Sequence, residues 1–229
     1  MSKLPKSLRH VTARGPLRYL AACVKQLRNC LTLAIAQGQF RSMAARSPVD
    51  GSGAPIPWYT YPALEYLKGF DFSDCKVFEF GAGNSSHYWA SVAKLIVSVE
   101  DDEVWFGQIN NAAANNQRIL LCSDEDDYVS ALGQQKERFD IIVIDGKWRE
   151  RCAVEAMRHL DESGLIILDN ADRHHGVCAL LRNNDFFQID FNGFGPINSY
   201  CWTTSMFIKS LPRQNGFRDL RPIGGLGTL

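Results

Sequence analysis

From residue 76 onward, apolar residues come in short runs that end on polar or glycine positions. The runs are 76–80 (KVFEF), 95–100 (LIVSVE), 118–122 (RILLC), 139–145 (FDIIVID) and 164–170 (GLIILDN). Short β-branched or aromatic runs bounded by turn residues predict strands. Between them lie stretches with helical spacing, at 102–114, 128–135, 149–160 and 174–182. A further helix is expected directly after the glycine turn at 81–83. Continuous Val/Ile/Leu strands alternating with helices indicate a parallel sheet buried on both faces. Two closing strands, 186–191 and 201–209, flank a Gly/Pro/Asn loop at 192–200. The pattern predicts a doubly wound α/β domain with a seven-stranded, mostly parallel sheet.

Upstream the period changes. Leu17, Leu20, Val24, Leu27, Leu31 and Ala34 fall on one face of a helix, while Arg18, Lys25 and Arg28 lie largely off it. Residues 47–57 (SPVDGSGAPIP) read as a linker, followed by the aromatic cluster Trp58, Tyr59 and Tyr61 and a short helix at 63–68. The expected organisation is a basic helical extension with linker at 1–57, an α/β domain at 58–210 and a loosely ordered tail at 211–229.

Charge sharpens this division. Formal net charge is zero, yet residues 1–49 hold no Asp or Glu and nine Lys or Arg, so the remainder is net acidic. A helix of this kind packs on its own domain, meets a second copy in a homodimer, or makes peripheral contact with an anionic membrane. Packing or dimerisation is the simplest expectation. The seven cysteines contain no CxxC pair, which points to reduced thiols and a cytoplasmic setting, without a disulfide framework or zinc site. No apolar run is long enough to cross a membrane.

Candidate chemistry gathers where the strands stop. Gly81 and Gly83 open a helix, and free N–H groups at such a turn receive polar ligands. Glu79 lies inside the first strand, where a carboxylate is costly unless paired. Glu100, Ser123 with Asp124, Asp145, and Asp169 with Asn170 end the next four strands. In an open parallel sheet those ends converge on the ligand site.

On the motifs FEFGAGNSS, VSVE, FDIIVIDG and GLIILDN, residues 76–209 resemble the class I S-adenosylmethionine-dependent methyltransferases. The resemblance implies a cofactor site in which Gly81 and Gly83, with Asn84 and Ser85 at the helix start, approach the methionine part. Glu79 would hold its amino group and Glu100 both ribose hydroxyls, which suits two acceptor oxygens. Ser123 and Asp124 would lie near the adenine, and Asp145 beside the cofactor. The nearest pattern is that of metal-dependent O-methyltransferases of the catechol and caffeoyl-coenzyme A type. That pattern implies Mg²⁺ on Asp145, Asp169 and Asn170, assisting methylation of a small-molecule or sugar hydroxyl. The general base of that type falls here on Trp148, which leaves Lys147 or His174 (with His175 beside it) as bases. The alternative for the acids is contact with cofactor and substrate without metal.

A nicotinamide-dependent oxidoreductase is the rival reading. Against it, Ser86 replaces the third glycine of GxGxxG and no Tyr-x-x-x-Lys pair is present. A non-catalytic, cofactor-binding module is the other alternative. Nucleic acid is disfavoured as a substrate, because Asp145-Gly146 replaces the motif of base-methylating enzymes and the body is acidic.

Overall fold

Val77, Phe78 and Phe80 are fully buried and form β1 (Lys76–Phe80), the centre of a single seven-stranded sheet. The computed structural model describes residues 16–209. The other strands are β2 (Leu95–Glu100), β3 (Gln117–Leu121), β4 (Phe139–Ile144), β5 (Leu160–Leu168), β6 (Phe187–Gly193) and β7 (Trp202–Ile208). Their order is β3-β2-β1-β4-β5-β7-β6. The first five pair in parallel, while β7 runs antiparallel to both β5 and β6.

Side-chain alternation divides the sheet into two faces. Val77, Ile96, Ile141, Val143 and Ile167 pack under α3 (Tyr61–Leu67) and α4 (Asn84–Val92) through Leu64, Leu67 and Trp89. Phe78, Phe80, Val97, Ile142, Ile144, Ile166 and Leu168 pack on the other face. Their partners come from α6 (Glu125–Ser130), α7 (Arg149–His159) and α8 (His175–Arg182). α5 (Glu103–Asn110) packs at the β2–β3 edge, where Ile109 meets Ile119.

Several boundaries differ from the sequence expectation for local reasons. α6 begins at Glu125, earlier than the expected 128, because Asp124 caps it by accepting from Asp126 and Asp127 N–H at 2.9 and 3.3 Å. Three acids in its first turn look like loop composition but suit a helix N-terminus. β5 begins at Leu160, with a register irregularity between Phe139 and Ile141 on its partner.

The extension is α1 (Pro16–Leu31), a π-helical turn at Thr32–Ala36 and α2 (Gln39–Ala45). Every residue from 18 to 31 is exposed, so α1 does not pack on its own domain, one half of the simplest expectation of packing or dimerisation. α2 does pack: Gln39 and Ser42 are buried, and Gln39 Nε2 donates to Gly195 O at 2.9 Å. The expected linker is a built turn, in which Asp50 Oδ1 accepts from Ser52, Gly53 and Ala54 N–H at 2.8–3.0 Å. The expected tail at 211–229 lies outside the described residues.

Candidate cofactor-binding site

The sheet register brings the polar strand ends into one layer. Phe80 pairs with Val99 and Ile144, and Ile144 pairs with Leu168. The next step along each strand aligns Gly81 with Glu100, Asp145 and Asp169. Backbone bonds continue the pairing: Gly81 N–H donates to Val99 O at 2.9 Å and Asp145 N–H to Phe80 O at 3.1 Å. Glu79, Glu100, Asp145 and Asp169 thereby point to the face covered by α3 and α4, at its carboxyl-end rim.

Gly81 turns the chain at φ 98°, a left-handed conformation that favours glycine, and a Cβ there would stand 3.0 Å from Gly146 N and Cα. The turn is anchored from β2: Glu100 Oε2 accepts from Ala82 N–H at 3.0 Å, and Oε1 from Asp101 and Asp102 N–H, each at 3.0 Å. Trp105 Nε1 donates to Ala82 O at 2.7 Å, a contact nothing in the sequence singled out. Glu100 thus spends three of its roughly four acceptor sites on backbone N–H groups and keeps one, on Oε2, for a ligand's hydroxyl.

Glu79 is fully buried, and its Oε2 accepts from Ser86 Oγ, with Ser98 Oγ 3.1 Å away. Its Oε1 has no hydrogen-bond partner in the protein. Burial pushes its pKa up to about 7, against the pull of Ser85, Ser86 and Ser98, and the Asp145 charge adds to the rise. Tyr59 is also fully buried with its OH unpartnered, and it feels Glu79, Asp145 and Asp169. An unpartnered carboxylate oxygen in the strand that leads into a glycine turn fits the ammonium of an amino-acid moiety. These residues therefore fit the methionine part of S-adenosylmethionine.

The other expected contacts are placed as follows. Gly83 is the extended N-cap of α4, and its N–H donates to Ser86 Oγ at 3.1 Å. Ser85 is buried near Glu79. Asn84 turns away, donating from Nδ2 to Ser47 Oγ and Pro48 O at 2.8 and 2.7 Å. Ser123 is exposed, and Asp124 is engaged in capping α6.

Beyond β4 and β5 the expected metal triad meets a different arrangement. Arg149, the first residue of α7, donates from Nη2 to Asp145 Oδ1 at 3.1 Å and to Asp145 O at 2.7 Å. Its Nε donates to Gly146 O at 2.9 Å and its Nη1 to Asp169 O. Asp169 Oδ1 accepts from Trp202 Nε1 at 3.0 Å and from Thr204 Oγ1. Burial raises the pKa of both acids; Arg149 opposes the rise at Asp145, and the Asp145 charge adds to it at Asp169.

Asn170 stands at φ 51°, leading into the short 3₁₀ turn Ala171–Arg173. The guanidinium already supplies the positive charge between the two strand ends, and the Asp169 carboxyl is turned to neutral donors. Asp145, Asp169 and Asn170 do not fit a resident Mg²⁺. Among the described residues no group of three or more His, Cys, Asp or Glu stands close enough to hold a metal ion.

Of the expected bases, Lys147 is exposed and paired with Asp101, which raises its pKa and keeps the ammonium charged. His174, at the entry to α8, has its pKa lowered by partial burial and by Arg149, so the neutral imidazole dominates near neutral pH. The aromatic cluster and the 192–200 loop come together: Tyr61 N–H donates to Phe194 O at 2.7 Å, and Thr60 N–H to Thr204 Oγ1 at 3.0 Å. Trp58, Phe194 and Tyr200 remain exposed.

Strand order, the reversed β7 and helices on both faces define a Rossmann-like methyltransferase fold, here with an N-terminal helical extension. Among similar solved structures is precorrin-6y C5,15-methyltransferase from Geobacter metallireducens. It aligns at TM-score 0.54 and 16% identity, covering 65% of this chain and 87% of that one. Another is the O-methyltransferase TomG from Streptomyces achromogenes, involved in tomaymycin synthesis and solved in complex with SAM. It aligns at TM-score 0.50 and 14% identity, over 64% of this chain and 76% of that one. At such identities the likeness is one of fold. No model of a known protein family and no curated protein matches the chain.

Proposed function

We propose that the protein is an S-adenosylmethionine-dependent methyltransferase that methylates a hydroxyl of a small molecule or sugar. The observation that carries the reading is Glu100 holding the Ala82 N–H of the glycine turn, with Glu79 one layer below and its Oε1 unpartnered. The turn, the ribose-type acid and the amino-group acid thus form one connected unit. The fold of the similar structures supports the same cofactor.

When bound, S-adenosylmethionine supplies a sulfonium methyl group, which an oxygen nucleophile takes in an in-line displacement. The protein's part is alignment and proton transfer. Glu79 would hold the cofactor's ammonium with Oε1, and Glu100 would accept from its ribose through the site left on Oε2. Asp145, held by Arg149 at the same strand-end rim, would contact the cofactor or the acceptor there. His174 Nδ1 or Nε2 takes the acceptor's hydroxyl proton, so that the oxygen attacks as it gains negative character. Exposed Trp58, Phe194 and Tyr200 offer faces for an acceptor ring.

A nicotinamide oxidoreductase is the weaker reading, on a specific observation. The dinucleotide fold has the parallel order 3-2-1-4-5-6, whereas here β7 runs antiparallel between β5 and β6. Thermal unfolding with each ligand separates the two. Saturating S-adenosylhomocysteine is expected to raise the midpoint, with about 2.7 kcal/mol of stabilisation at a hundredfold excess over Kd. NADH is expected to leave it unchanged, and stabilisation by NADH alone would overturn the proposal.

A further inference from the structure

We infer that α1 is a docking element for an anionic lipid surface. Leu20, Val24, Leu27 and Leu31 form one stripe at helical spacing, and each is 48–61% exposed. Tyr19, to one side of the stripe, is 76% exposed. Arg18, Lys25 and Arg28 occupy the flanks and the opposite side, and all are exposed. An isolated apolar stripe of this size gains nothing by facing water, because each buried Leu or Val contributes roughly 2 kcal/mol.

Charge decides what covers the stripe. Residues 1–49 carry nine basic and no acidic side chains. A second α1 could cover the stripe, but it offers these cations no carboxylate, since residues 1–49 hold none. A bilayer of anionic lipid offers both features at once: the stripe enters the acyl boundary while Lys and Arg reach the headgroups. The body supplies the orientation. With 25 of each charge in the whole chain, residues 50–229 hold 16 basic and 25 acidic side chains, a net of −9. That body is repelled by the same lipid, which leaves α1 as the contacting element. Among the described residues no helix is long and apolar enough to cross a membrane, so the contact is peripheral.

The test is sedimentation of the full chain with vesicles of phosphatidylcholine alone, or with about one-third phosphatidylserine. The wild type is expected to partition onto the phosphatidylserine vesicles, to stay in solution with the neutral ones, and to lose binding at high salt. Leu27→Asp is expected to abolish partitioning, and Lys25→Glu with Arg28→Glu to weaken it at least about tenfold. Both variants sit on exposed positions, so their thermal midpoints are expected to match wild type. Three results would overturn the inference: no partitioning, equal partitioning onto neutral vesicles, or Leu27→Asp binding as wild type. A solution dimer that Leu27→Asp dissolves, with no vesicle binding, would give the stripe to a second copy instead.

Discussion

Ser86 Oγ donates to Glu79 Oε2, so the residue at the third glycine position of a dinucleotide fingerprint is bonded to the acid inside the first strand. The two departures from that fingerprint are one device. Ser86 also accepts from Gly83 N–H, which links the buried carboxylate to the start of α4 through a single hydroxyl. One carboxylate oxygen is thereby fixed, while the other has no partner in the protein.

This arrangement predicts a pH signature. Burial raises Glu79 from 4.5 to about 7. The folded state then binds this proton where the unfolded chain has lost it, so unliganded stability falls as pH climbs from about 4.5 through about 7. Glu79→Gln removes that dependence. At pH 8 the variant is expected to be more stable than wild type by up to roughly 3 kcal/mol, the difference between carboxyls titrating at about 7 and at 4.5. Below pH 5 the gap is expected to close. Denaturant melts across pH measure it, and a gap independent of pH contradicts the assignment. The same variant is expected to bind S-adenosylhomocysteine more weakly, because its amide cannot pair with the ammonium as a charge.

Arg149 predicts both stability and metal independence. Its guanidinium bonds Asp145, Gly146 and Asp169, and its side chain is 11% exposed. Arg149→Met leaves Asp145 without its partner charge and is expected to cost about 3 kcal/mol in equilibrium unfolding. Addition of a chelator to the wild type is expected to leave methyl transfer unchanged. Loss of activity on chelation, restored by Mg²⁺, would return the metal triad.

His174 predicts the ascending limb of the pH–rate profile. Its pKa lies below the ordinary value of 6.5, so kcat is expected to rise with pH through a midpoint below 6.5 to a plateau. His174→Gln is expected to lower the plateau by about 10²-fold or more and to abolish that limb. A profile that persists in the variant assigns the base elsewhere.

What was legible in the sequence follows from the kind of signal. β2 was readable to the residue, because LIVSVE is apolar, β-branched and ended by an acid. The acids at strand ends were readable because a parallel sheet brings its carboxyl ends together whatever its side chains. Arg149 was not: an Arg early in a helix is ordinary, and only the left-handed Trp148 at φ 48° sets the helix angle that returns it to Asp145. Trp202 and Thr204 were out of reach for a related reason, since no periodicity states that β7 inserts antiparallel beside β5. The amphipathic α1 was legible as a helix, but burial decides whether its stripe is covered, and sequence does not contain burial.

The central claim is that the carboxylate ending β2 grips the sugar of an S-adenosyl nucleoside beside the glycine turn. Isothermal calorimetry with S-adenosylhomocysteine, on wild type and Glu100→Ala, tests it most directly. The account predicts clear binding to wild type and at least about a hundredfold weaker binding to the variant, as expected for removing hydrogen bonds to a charged acceptor. Equal affinities, or a folded wild type that binds no S-adenosylhomocysteine at all, would contradict it.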